Sequence, residues 1–87
     1  MKEYNSMLAN LKEHNIRIKE SEYDEQAFGS WYIEIKSIPP YRVVHDGRDK
    51  TIVLETSKNN EWSSIMYDKT KTGKHVIERL VQELNDL

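Results

Sequence analysis

The chain has 87 residues, 13 Lys and Arg against 15 Asp and Glu, a formal net charge of -2, and no cysteine. That length points to one domain with a small core, and the missing cysteines exclude a disulfide framework, a thiolate metal site and a cysteine nucleophile. The balance of charge argues against a dedicated nucleic-acid binder, which would be clearly basic.

Apolar residues make up 37% of the chain and charged residues 32%, against the usual quarter charged. The apolar residues are clustered and periodic, with two Trp and five Tyr among them, so an ordered fold is expected rather than disorder. The opening residues carry acids early and have no apolar run, so they do not read as a signal peptide. No stretch approaches the ~20 apolar residues of a membrane span. A cytoplasmic protein is the expectation. Usage rich in Lys, Ile and Asn is that of AT-rich bacteria and their phages.

Residues 2–14 read as a helix. Tyr4, Met7, Leu8 and Leu11 recur at spacings of three and four and form one stripe. Asn15 is a suitable stop, because Asn tolerates the left-handed conformation. Alternation begins at Ile16 and Ile18, and a strand is expected from there. It runs into Glu20, Glu22, Asp24 and Glu25, an acidic segment followed by a loop over residues 24–30.

Residues 31–36 form the clearest strand, with Trp31, Ile33 and Ile35 on one side and Tyr32, Glu34 and Lys36 on the other. Pro39 and Pro40 end it, since neither can donate to a ladder. Residues 41–45 are the next strand. Asp46-Gly47 reads as a hairpin turn that continues through Arg48, Asp49 and Lys50. Residues 51–56 return, residues 58–60 turn again, and residues 62–67 form a further strand. A polar linker over residues 68–72 leads to a last helix from Lys74. Its stripe is Ile77, Leu80, Val81, Leu84 and Leu87, and Thr72 is its expected N-cap. The expected fold is α+β: a four- or five-stranded antiparallel meander with one N-terminal and one C-terminal helix. Trp31, Ile33, Leu54, Leu80 and Leu84 are expected to be buried together.

No constellation points to catalysis. His14, His45 and His75 lack metal-ligand spacing. The acids at 20–25 lack the glycine turn of an oxygen-ligand loop. The groups at His45, Asp46, Arg48 and Asp49 are explained by the hairpin alone. Neither an enzyme, a metal nor a cofactor is expected.

The sheet gives a stronger indication. Opposite the apolar stripe lie Tyr32, Arg42, Val44, Val53 and Glu55, with Ile65 and Tyr67 as further candidates. Tyr and Arg are over-represented among binding hot spots. The expected partner surface is Tyr32, Arg42, Val44, Arg48 and Tyr67, flanked by the acidic Glu22 and Asp24. Its partner is another protein, of the kind a basic toxin or nuclease offers, and the chain then reads as a non-catalytic inhibitor of the immunity-protein or antitoxin type. The competing arrangement puts one helix over each sheet face, which would bury Tyr32 and Val44. The alternative function is nucleic-acid or phosphate binding through Lys69, Lys71 and Lys74 before the last helix, where free N–H groups favour anions. The oligomeric state is open.

Overall fold

Residues 2–69 and 72–87 are described by a computed structural model. Two helices, α1 (Lys2–Glu13) and α2 (Lys74–Asn85), bracket five strands: β1 (Ile18–Asp24), β2 (Ser30–Ile35), β3 (Tyr41–Asp46), β4 (Thr51–Lys58) and β5 (Glu61–Asp68). The strands lie in one sheet in chain order, and each neighbouring pair is antiparallel. The α+β meander is therefore five-stranded. Neither helix is long and apolar enough to cross a membrane.

Period-two alternation gives the sheet one apolar side. Trp31, Ile33, Ile35, Tyr41, Val43, Ile52 and Leu54 are buried there. Met7 and Leu11 from α1 and Val76, Ile77 and Leu80 from α2 complete the same cluster. Full burial of each such aliphatic side chain stabilises by about 1.5–3 kcal/mol. Tyr4 seats α1 over β1 and β2: its hydroxyl lies 2.6 Å from that of Ser21, and its ring centroid is 5.8 Å from that of Trp31. Both helices thus cover one face. The arrangement with a helix on each face does not occur, and Tyr32 and Val44 are half-buried by their sheet neighbours.

Several local expectations change. The first strand starts at Ile18 rather than Ile16, and it carries the acidic residues through to Asp24. Ile16 is buried ahead of it. The stripe of α2 is centred on Val76, Ile77 and Leu80; Leu84 is only half-buried and Leu87 is 62% exposed. Ile65 faces the core rather than the open side. A register shift between Leu54 and Glu55 leaves it without a cross-strand partner, and it packs beside Met66 against the core.

The Asp46-Gly47 turn also differs from expectation. Asp46 Oδ1 accepts the backbone N–H groups of Arg48 and Asp49, and Lys50 N–H donates to the Asp46 carbonyl at 2.7 Å. The left-handed residue is Lys50, with φ 55°, not Gly47. Gly47 serves a close approach instead: a Cβ there would stand 2.0 Å from the Phe28 carbonyl oxygen. The Asn59-Asn60 turn is the two-residue kind, with φ 55° and 66°.

Candidate functional site

Because both helices lie on one side, the other side of the sheet is uncovered. Its central row crosses all five strands: Glu22 pairs with Tyr32, Tyr32 with Val44, Val44 with Val53, and Val53 with Tyr67. Tyr67 is 67% exposed. The next row runs from Glu20 through Glu34, Arg42 and Glu55 to Ser64. Five of the seven residues expected at a partner surface, Glu22, Tyr32, Arg42, Val44 and Tyr67, therefore share this face.

The charges on it are ordered. Lys19 Nζ lies 3.2 Å from Glu34 Oε2, and Arg42 Nε donates to Glu55 Oε1. The Arg42 guanidinium also stacks over Trp62, its carbon 4.2 Å from the ring centroid. Trp62 was not among the expected contacts. The signal for it was the two-residue Asn59-Asn60 turn, which pairs Ser57 with Trp62 and so assigns Trp62 to the open side. The Tyr32 hydroxyl donates to Glu20 at 3.4 Å. Partial desolvation, then the carboxylates of Glu20 and Glu22, hold the Tyr32 phenol above its ordinary value. Among the described residues, no Lys or Arg forms an ion pair with Glu20, Glu22, Asp24 or Glu25. The β1 side of the face is accordingly acidic.

The remaining two expected residues lie at one end of the sheet. Asp24 caps a single 3-10 turn over Glu25–Ala27, its Oδ1 accepting from Gln26 N–H at 2.9 Å. Arg48, in the β3–β4 loop, stacks over Phe28, its guanidinium carbon 4.7 Å from the ring centroid. Phe28 is 66% exposed and left-handed, with φ 59°. Gly47 N–H donates to the Ser30 hydroxyl at 2.9 Å, which joins the two loops. No local pattern marked Phe28.

The described part of the lysine segment leads into a helix end that a carboxylate already caps. Lys69 and Lys74 are exposed, and Lys71 lies outside the described residues. Gly73 occupies the N-cap position of α2 without a side-chain cap, so Thr72 does not fill that role. The carboxylate of Asp68, only 3% exposed, takes it instead, accepting from His75 and Val76 N–H. An anion at this helix end would meet a carboxylate already in place.

The histidines stay apart. His14 Nδ1 lies 2.8 Å from the Asn10 carbonyl, His75 lies beside Glu78, and the His45 ring stacks on Trp31 with centroids 5.2 Å apart. Among the described residues, no three His, Asp or Glu side chains gather as metal ligands do. Compared with protein-family models, curated proteins and solved structures, the chain matches none of them.

Proposed function

We propose that this chain is a non-catalytic protein-binding module of the inhibitor, immunity-protein or antitoxin kind, acting in the cytoplasm on a basic protein partner. The observation that carries this reading is the uncovered sheet face, with Tyr32, Val44, Val53 and Tyr67 in one row and the Arg42–Trp62 stack beside it. Aromatic and Arg side chains on a rigid sheet bring contact area and directional bonding with little loss of conformational freedom. The acidic β1 side supports a basic partner, because complementary charge speeds encounter and selects against acidic competitors. A toxin or nuclease whose cleft binds a polyanion presents that chemistry.

A photo-crosslinking side chain placed at Tyr67 tests the face, with the exposed α2 position Gln82 as control. The expected result is one basic protein, distinct from a second copy of this chain, captured from the Tyr67 position and not from Gln82. Binding of the purified pair should then weaken when Tyr32 or Arg42 is replaced by Ala. Cross-links from Gln82 alone would overturn the reading. So would retention on heparin that falls steeply with salt, because phosphate-driven binding behaves in that way.

A further inference from the structure

An open sheet leaves two edge strands, each with a row of backbone groups that no neighbour pairs. Here the edges are β1 and β5, and their sequences treat them differently. β1 carries Lys19, Glu20, Glu22 and Asp24, and its register shifts between Ile18 and Glu20. Charge is a usual protection against edge pairing, whereas a register shift occurs beside both edges and does not separate them. β5 carries no charged residue and no proline at residues 62–67. Ser63, Ser64 and Tyr67 are exposed along it.

We propose that β5 pairs edge to edge with β5 of a second copy of this chain, giving a continuous ten-stranded sheet. Charge selects this occupant. A β1–β1 contact would set Glu20 and Glu22 against the same acids. A β1–β5 contact would desolvate those carboxylates against uncharged residues, and it would repeat without closing. The antiparallel β5–β5 pair has its own two-fold axis and closes after two chains. The sides of the strand agree with it as well. Setting Trp62 opposite Tyr67 of the second copy puts Ser63 opposite its Met66. Trp62 with Tyr67 and Ser63 with Met66 then share a side of the sheet, with two aromatic cross-strand pairs on the open face. Passing over Ile65, which is already bulged out of the ladder, sets Ser64 against Ser64 of the second copy. Glu61 lies level with Asp68, whose carboxylate is already turned into the first turn of α2. The result joins two open faces into one surface and leaves all four helices on the other side. It does not depend on the proposed inhibitor role.

Analytical ultracentrifugation over about 1–500 µM tests the pairing, since a two-chain association follows mass action. The expected result is a shift from one chain mass to two across that range. Ser63→Lys should hold the protein at one chain mass with an unchanged circular dichroism spectrum, while Tyr32→Ala should leave the association intact. The chain has no cysteine, so single-cysteine variants report proximity cleanly. Ser64→Cys should form a disulfide-linked dimer under mild oxidation, and Glu22→Cys on the other edge should not. One chain mass at every concentration, a dimer that survives Ser63→Lys, or cross-linking through position 22 but not 64 would each overturn the proposal.

Discussion

The carboxylate of Asp68, the last residue of β5, accepts the backbone N–H of His75 at 2.9 Å, seven residues further along the chain. The same oxygen accepts Val76 N–H at 3.3 Å. One buried side chain thus ends the sheet and begins α2. Replacing Asp68 with Ala should destabilise the protein by about 1–3 kcal/mol, the cost of an N-cap lost from a buried setting. Asp68→Asn, which keeps an acceptor, should cost less. Urea denaturation followed by circular dichroism measures both, and equal stability of Asp68→Ala and the parent would contradict the capping role.

The burial of α2 ranks its leucines. Leu80 is fully buried and Leu84 is only half-buried. Leu80→Ala should cost about 2–5 kcal/mol. Leu84→Ala should cost clearly less, because solvent already reaches that site. A reversed order in denaturant midpoints would mean that α2 docks on a different stripe.

Gly47→Ala is predicted to be strongly destabilising, although position 47 is not left-handed. The added methyl collides with the backbone of Phe28, which cannot swing aside as a side chain could. Gly47→Asn should fare no better, and that separates a steric requirement from a turn preference. A melting temperature unchanged by Gly47→Ala would refute the close approach.

Tyr41 supplies a pH dependence. Its hydroxyl donates to Glu83 Oε2 at 3.4 Å, and Arg79 Nε donates to the other oxygen of the same carboxylate at 2.8 Å. Burial, then the Glu83 charge, raises the Tyr41 phenol above its ordinary value. The unfolded chain therefore ionises first as pH rises, so the contribution is intact below about pH 10 and is lost as pH climbs through the folded value. Stability should fall on the alkaline side, and Tyr41→Phe should flatten that fall. An alkaline limb unaltered in Tyr41→Phe would assign it to another group.

On the open face, stability and binding should separate. Tyr32 and Arg42 lie opposite the core, so Tyr32→Ala should shift stability by less than about 1 kcal/mol. Each of Tyr32→Ala and Arg42→Ala should weaken binding of the partner by about 1–3 kcal/mol. Titration calorimetry with the captured partner reads this directly, and full-strength binding by the double variant would move the contact surface to the acidic β1 side.

Local pattern was enough for the order of elements and for the apolar side of each central strand. Trp31, Ile33 and Ile35 alternate with polar residues, and a period of two leaves one assignment of faces. It was also enough for the Asn59-Asn60 turn, because those residues take positive φ readily. The make-up of the face opposite the core followed in outline from Tyr32, Arg42 and Val44, which the alternation sets there, but not that this face stays open.

Other features depend on residues far apart in the chain, and only the tertiary structure decided them. Both helices share one face because Met7, Leu11, Val76 and Leu80 meet the same buried stripe, whereas the mixed face of Val44 and Val53 was apolar enough to accept a helix. Asp68 caps α2 only because the chain returns over the end of β5, and Thr72, the nearer candidate, does not serve. Ile65 faces inward because the register slips once beside it, and a single slip exchanges the two sides of a strand. Gly47 is fixed by the backbone of Phe28, nineteen residues earlier, in a contact that exists only after the two loops are brought together. Periodicity specifies which side of an element is apolar; what that side meets is set by packing between distant segments, because close-packed interiors accept few arrangements.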